Sequence, residues 1–316
     1  MIYFFEKILY TQPKEELEEY LSPLDRGIAI HNILFRFYRT LPEEGRTLEA
    51  LISIAGKELE RIPAPRSILW DMEKNFYLGS PERTGLLGKF LEYEKEMLQH
   101  YSTVPRYFEL SFGNPRQTPD DSDPVSASQP FLVERGKDSY QFKGKIDRIE
   151  IADDGRMLVV DYKTGNVPTL RQMWEGEKLQ LPVYLAAAEQ VLSSTHKKLH
   201  PAGGAFYQIK SEQDLEKKIV FKDVNSEIGP VKVSKSAQLP NDKYAEDGKP
   251  VNLQQFLERT ISFAIDYIQG IRSGQFKHTP DESRCKRWDG KYCDFLPLCR
   301  VNWEKQRALA KTENGD

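Results

Sequence analysis

Cysteine is missing from the first 284 residues of this chain: Cys285, Cys293 and Cys299 are its only three. An odd, tightly grouped set does not make a disulfide framework. It suits metal or cluster ligation in a reducing compartment. No run of about 18 consecutive apolar residues occurs, so no membrane-spanning helix is expected. No positively charged leader with a small-residue cleavage site opens the chain. The expectation is a cytoplasmic protein with no membrane partner. An excess of positive charge is also lacking, with 45 Lys and Arg against 48 Asp and Glu and a formal net charge of −3. That balance excludes coating nucleic acid by bulk electrostatics. No internal repeat is present. What remains is ordinary: 316 residues, 39% hydrophobic and 29% charged, enough for one large domain or two small ones.

Chemistry concentrates between Lys143 and Gly165, in GKIDRIEIADDGRMLVVDYKTG. Two runs of alternating polarity flank Asp153-Asp154-Gly155. If these three form a hairpin loop with Gly155 left-handed, Ala152 pairs with Arg156. Counting back along both strands sets Asp147 opposite Asp161, with Cβ atoms about 4.5–5.5 Å apart. Lys163 shares the face of Asp161, and Tyr162 points the other way. Two carboxylates that close repel unless a cation separates them, and an all-oxygen set favours Mg²⁺ or Mn²⁺. Lys163 is then placed to hold or deprotonate a water. Asp and Lys are also common on exposed strand faces, and the strand pair alone fits a solvated hairpin face equally well. Lys143, Lys145, Arg148, Lys163, Arg171 and Lys178 form a local basic cluster around this stretch.

The rest of the chain supplies a scaffold. Residues 1–20 open with Ile2, Tyr3, Phe4, Phe5, Ile8 and Leu9, a helix in search of a partner; this opening leads to the expectation that the chain is a fragment of a longer polypeptide. Pro23 to Thr40 carries Ile30, Ile33, Leu34, Phe37 and Tyr38 at helical spacing, with His31 beside the stripe. A lone histidine there is a surface or packed residue more often than a ligand. Leu48 to Ile62 and Glu82 to Tyr101 read as helices, Tyr107 to Phe112 as a strand holding Glu109, and Asn114 to Gln129 as a loop. One helix is expected over Leu170 to Leu192, where Gln180 and Tyr184 share a face; a solvent contact and core packing account for them equally well. Gly203 to Lys210 reads as a strand, Ser211 to Gly248 as peripheral hairpins and loops, and Val251 to Ser273 as an amphipathic helix.

Taken together, DRGIAIH around His31, GKIDRIE around Asp147, VVDYKTG around Asp161 and Lys163, QLPVY from Gln180 to Tyr184, and the terminal YCDFLPLCR resemble the RecB/AddB-type branch of the PD-(D/E)xK nuclease superfamily. The closest likeness is to the C-terminal nuclease domain carried by one component of bacterial helicase-nuclease complexes. The five motifs stand in the family's order over most of the chain. The resemblance implies an α/β fold with a restriction-endonuclease-like core: a central mixed sheet of four or five strands, flanked by the His31 and Gln180 helices, with additional helices around residues 48–101. It implies residues 1–273 as the nuclease domain and 274–316 as a cysteine-bearing segment packed on it.

The implied activity is that of a Mg²⁺- or Mn²⁺-dependent DNA exonuclease acting on single-stranded DNA or duplex ends in double-strand break repair, with a helicase subunit as partner. His31, Asp147, Asp161 and the carbonyl of Tyr162 would be metal ligands. Asp147, Asp161 and Lys163 would be catalytic, Lys163 by orienting water and stabilising charge on the phosphate, with Gln180 and Tyr184 supporting the site and contacting nucleic acid. Relatives often carry an acidic residue where Glu109 stands. The alternatives are a catalytically silent DNA-binding or scaffolding domain of the same fold, which usually loses the Asp or Lys kept here, and a free-standing RecB-like exonuclease.

The cysteines depart from the family pattern. Relatives hold a [4Fe-4S] cluster with one cysteine before the first helix and three near the C-terminus spaced C-x2-C-x5-C. Here Cys293 and Cys299 keep the five-residue gap, seven residues separate Cys285 from Cys293, and no upstream cysteine is present. It would fall before Met1. With Cys285, Cys293 and Cys299 alone, a Cys₃His zinc site recruiting His278 and unliganded thiols are the competing readings.

Overall fold

The computed structural model describes residues 4–11, 22–62, 68–114, 121–193, 195, 198–229, 233–276, 282–285, 292–293, 295–299, 301–305 and 308. The chain divides into two compact units, Glu18–Ala264, and Met1–Leu17 together with Ile265–Asp316.

The larger unit opens with helix α1 (Pro23–Thr40). The Ser22 hydroxyl accepts the Asp25 N–H and Pro23 occupies the first turn, both favourable start signals. Its stripe of Ile30, Ile33, Leu34 and Phe37 is almost wholly buried. Helices α2 (Leu48–Glu60) and α3 (Ile68–Leu78), a small hairpin of β1 (Gly79–Ser80) and β2 (Arg83–Thr84), and α4 (Leu86–Leu98) follow. The strands are β3 (Val104–Phe112), a separate hairpin of β4 (Phe131–Arg135) and β5 (Asp138–Phe142), β6 (Gly144–Ile151) and β7 (Arg156–Lys163). Helices α5 (Leu170–Trp174) and α6 (Gln180–Leu192) lead to β8 (His200–Ile209), β9 (Leu215–Asp223), β10 (Gln238–Leu239) and α7 (Leu253–Arg272).

Six strands make the central mixed sheet in the order β10-β9-β8-β7-β6-β3. The β7–β8 and β9–β10 pairs are parallel and the others antiparallel. A parallel β7–β8 pair needs a long crossover, which α5 and α6 supply. Leu158, Val160 and Tyr162 of β7 join the core built by α1, α2 and α4, while Met157 and Val159 join the core built by α6. Burial on both faces explains the continuous apolar run MLVV. This is the α/β architecture expected from the sequence, with one more strand in the sheet.

The extra strand lies in a stretch expected to be peripheral hairpins and loops, outside the central sheet. LEKKIVFKD forms β9 and pairs with β8 over Gly203 to Ile209. The helix expected over Leu170 to Leu192 is two helices. Gly176 breaks it with a φ of +77°, and a Cβ there would sit 2.8 Å from the Phe263 ring. Only glycine fits that close approach in the left-handed region. The break makes Gln180 the first residue of α6.

In the smaller unit, residues 4–8 form a single π-helical turn. The rest of the helix expected over residues 1–20 lies largely outside the described residues. Phe5 stacks on Phe295 with centroids 5.2 Å apart, and Phe4 lies 5.2 Å from Phe276.

Candidate active site

The β6–β7 hairpin is built as its loop residues dictate. Gly155 has a φ of +87°, and the Ala152 N–H donates to the Arg156 carbonyl at 2.9 Å. Ile151 pairs with Met157 and Arg148 with Val160. One further step in that register sets Asp147 opposite Asp161. The regular ladder ends there, because Asp147 Oδ2 takes the Tyr162 N–H at 2.8 Å.

Asp161 is 1% exposed, and neither of its carboxylate oxygens accepts a hydrogen bond. Lys163 Nζ lies 2.6 Å from Oδ2 as an ion pair rather than an aligned hydrogen bond. Burial, and then the neighbouring Asp147 charge, push the Asp161 carboxyl up to about 7. A buried carboxylate left short of partners is costly unless a cation joins it.

Lys163 also donates to Gln180 Oε1 at 3.2 Å. The start of α6 therefore holds the ammonium from the side. Tyr184, one turn further on, is half-buried against Phe112. Burial raises its hydroxyl, while hydrogen bonds with the Gln180 side chain and the Lys145 backbone oppose the rise. Gly144 makes room for the ring, since a Cβ there would lie 2.8 Å from Tyr184 Cε1. Tyr184 thus packs and hydrogen-bonds at once.

His31 reaches the same end of the sheet from α1. Its Nε2 donates to the Tyr162 carbonyl at 3.1 Å, and its Nδ1 lies 3.4 Å from Asp147 Oδ1 and 3.6 Å from Glu109 Oε1. Burial alone would lower the imidazole, but the Asp147 and Glu109 carboxylates beside it outweigh that and raise the group to about 10. Without a metal, a proton on His31 balances the two acids.

Ligand atoms of His31, Glu109 and Asp147 lie within 4.8 Å of one another, the one such group among the described residues. Asp161 is adjacent to this group but turned toward Lys163. Glu109 had no assigned place in the site from sequence. It lies on β3, where Phe108 pairs with Arg148 and Leu110 with Ile146, so it stands across from Asp147. Its φ is +52°, a conformation that costs a non-glycine residue about 1–3 kcal/mol. The turn reverses the alternation of β3: Phe108 packs in the α1-side core and Leu110 in the α6-side core. An acid in the apolar run PRYFELSF was the visible signal; the backbone reversal had none.

The basic cluster expected around the site is divided. Lys145 belongs to it, with Nζ 2.7 Å from Glu109 Oε2. Arg148 does not: it is 0% exposed on the other face of the sheet, where strand alternation sends it.

Residues 1–300 match the PD-(D/E)XK nuclease superfamily. This chain belongs to that superfamily. Curated relatives include several proteins named as subunits of an ATP-dependent helicase/deoxyribonuclease. Those of Clostridioides difficile (strain 630) and Thermoanaerobacter sp. (strain X514) are 24% identical over 95% and 91% of this chain. That of Lachnoclostridium phytofermentans is 25% identical over 94%. The chain spans 28% of the length of each. A solved structure titled "Crystal structure of SSO0001" is 14% identical, covers 93% of this chain and 91% of its own, and has a TM-score of 0.29, a likeness that carries no argument.

The donors fit the hard divalent cation that PD-(D/E)XK nucleases use: one imidazole, buried carboxylates and a main-chain carbonyl at one sheet end. The buried Asp161 carboxylate, without a hydrogen bond and met only by the Lys163 ammonium, is the clearest mark of that fit. The three cysteines lie in the smaller unit. The Cys293 N–H donates to the Cys285 carbonyl at 2.7 Å, and the Cys299 N–H donates to Phe295 at 2.8 Å. Burial and the neighbouring Cys293 raise the Cys299 thiol. Their zinc alternative falls on His278, outside the described residues. No helix among the described residues is long and apolar enough to cross a membrane.

Proposed function

We propose that this nuclease-superfamily chain is the DNA exonuclease domain of a helicase-nuclease, hydrolysing phosphodiester bonds with Mg²⁺ or Mn²⁺ during double-strand break repair and recombination in the cytoplasm. The observation that carries the proposal is the meeting of His31, Glu109, Asp147, Asp161 and Lys163 at one end of β6 and β7. Relatives named as helicase/deoxyribonuclease subunits support a helicase partner and a substrate of single-stranded DNA or duplex ends. The nuclease domain is assigned to residues 1–273 and the accessory cysteine segment to 274–316.

In this reading His31, Asp147, Asp161 and the Tyr162 carbonyl hold the ion, with Glu109 an added carboxylate. When bound, the divalent ion neutralises phosphate charge and makes a nearby water acidic. Lys163 sets its ammonium beside the phosphate and stabilises the charge that develops as the new P–O bond forms. It also orients the attacking water. Gln180 keeps that ammonium in place through its 3.2 Å hydrogen bond, and Tyr184 stands one turn further along α6 on the same face. Asp147 fixes the Tyr162 main chain through the 2.8 Å bond to its N–H. His31, neutral once its proton is displaced, offers a ring nitrogen.

The test is digestion of labelled single-stranded DNA with Mg²⁺, Mn²⁺ or chelator. Wild-type chain should cut with either ion, and Asp161→Ala should bind DNA without cutting it. Full activity in Asp161→Ala would remove the assignment.

Cys285, Cys293 and Cys299 are assigned to an iron–sulfur cluster. They offer three of the four thiolates that such a cluster takes, and a Cys₃His zinc site and unliganded thiols are the competing readings. Iron, sulfide and zinc analysis of the purified chain tests this: iron with sulfide supports the cluster, and zinc in their place, or no metal, refutes it.

A further inference from the structure

We propose that Arg148 and Glu94 are positioning residues for the metal-binding end of β7, acting through the hydroxyl of Tyr162. The inference rests on the site reading above and concerns what holds that site in shape.

Tyr162 serves both faces of the sheet. Its main chain lies at the site, donating to Asp147 Oδ2 at 2.8 Å and accepting from His31 Nε2 at 3.1 Å. Two of the proposed ligand residues therefore take their bearings from one peptide unit on each side of a single residue. Its ring points the other way, 3% exposed, edge-on to His31 with centroids 5.8 Å apart. There Arg148 Nη1 donates to the Tyr162 hydroxyl across 3.5 Å.

Arg148 is itself locked. Its Nη2 lies 2.6 Å from Glu94 Oε1 and 2.5 Å from Glu150 Oε1. Glu150 is completed by Lys217 Nζ at 2.7 and 2.8 Å and by the Thr103 hydroxyl at 2.8 Å. Glu94 also accepts from the Tyr38 hydroxyl at 3.1 Å. Arg148 and Lys217 against Glu94 and Glu150 sum to zero charge, and all four are buried.

Tyr38 and His31 are seven residues apart on α1, two turns on one face. Helix α1 is thus tied to the sheet at two heights: by His31 to the Tyr162 carbonyl, and by Tyr38 through Glu94 and Arg148 to the Tyr162 hydroxyl. Stability alone does not call for such a set, because packed apolar residues often serve as well as buried ion pairs. Direction is what apolar packing lacks. A planar guanidinium carries several donors on one rigid frame: Arg148 sets Nη1 at the Tyr162 hydroxyl while Nη2 pairs with both carboxylates, and groups behind a metal ligand set the ligand's orientation.

The test uses the full chain and Mn²⁺ titration by calorimetry, with a melting temperature in chelator for every variant. Asp147→Asn should abolish binding at the site. Tyr162→Phe keeps the ring and removes only the hydroxyl; it should fold and weaken Mn²⁺ by about tenfold. Glu94→Gln should weaken Mn²⁺ in the same direction, and if it fails to fold, Tyr162→Phe alone decides. Wild-type Mn²⁺ affinity in Tyr162→Phe would overturn the inference while leaving the site intact, since a structural role alone shifts only the melting temperature. Absence of any Mn²⁺ binding that Asp147→Asn removes would overturn both.

Discussion

Asp147 and Arg148 are neighbours on β6, and Asp161 and Tyr162 are neighbours on β7, yet the two faces they serve have opposite characters. On one, Asp161 has two buried oxygens without hydrogen bonds, and His31 carries a proton that a cation would have to displace. On the other, two cations and two carboxylates cancel in full burial. One face keeps its electrostatic demand open for a ligand. The other closes its charge balance within the fold, although Glu94 Oε2, Arg148 Nε and Arg148 Nη2 also lack hydrogen bonds. Active sites concentrate such perturbed groups, while removing one member of a buried, charge-balanced network is strongly destabilising.

Changes on the open face should therefore cost activity with little loss of stability, and changes on the closed face should cost stability first and Mn²⁺ affinity with it. The largest effect is expected for Asp161→Ala, with a drop in DNA cleavage on the order of 10³, the upper end for losing one charged group at a transition state. Its melting temperature in chelator should not fall. A parallel loss of stability would break the comparison.

Glu94→Ala should lose stability as well as Mn²⁺ affinity. Stripping one partner from a buried ion pair costs about 3 kcal/mol or more, and urea denaturation should show it. A variant as stable as wild type would mean that the network is not closed as described. Gly144→Ala lies between the two, because its Cβ would meet the rings of Tyr184 at 2.8 Å and Phe112 at 2.9 Å. Overpacking of this kind costs about 1–3 kcal/mol, and moving Tyr184 should also lower cleavage.

The smallest effect concerns pH. Asp161 titrates near 7 in the fold against an ordinary 3.8, so the folded chain binds that proton more tightly than the unfolded one. Stability of the metal-free protein should fall as pH rises from 3.8 to about 7. His31, raised from 6.5 to about 10, contributes stability that is complete below 6.5 and lost as pH climbs toward 10. Asp161→Asn should flatten the first slope and leave the second. An unchanged profile would contradict the buried, partner-poor state of Asp161.

Much of the open face was legible in the sequence because short-range rules place it. Asp-Asp-Gly determines the loop, the loop the register, and the register sets Asp147 across from Asp161. Helix α1 was equally plain from its stripe of Ile30, Ile33, Leu34, Phe37 and Tyr38. The closed face was not. Arg148 looked like one more basic residue near the site, and nothing local marks Glu94 as its partner or Lys217 as the partner of Glu150, since they come from a helix and a strand far apart in sequence. Strand β9 was hidden by its lysines, of which Lys217 is buried against Glu150. The left-handed turn at Glu109 leaves no trace in composition, and so its carboxylate had no place until β3 was paired with β6.

The most direct test of the central claim is cleavage of single-stranded DNA by this chain with Mg²⁺, comparing wild type with Lys163→Ala. Wild type should cut, stop with chelator, and lose about a hundredfold or more in rate when the ammonium is removed, with DNA binding retained. Equal rates in the two proteins would contradict the assignment of Lys163 and of the site built around it.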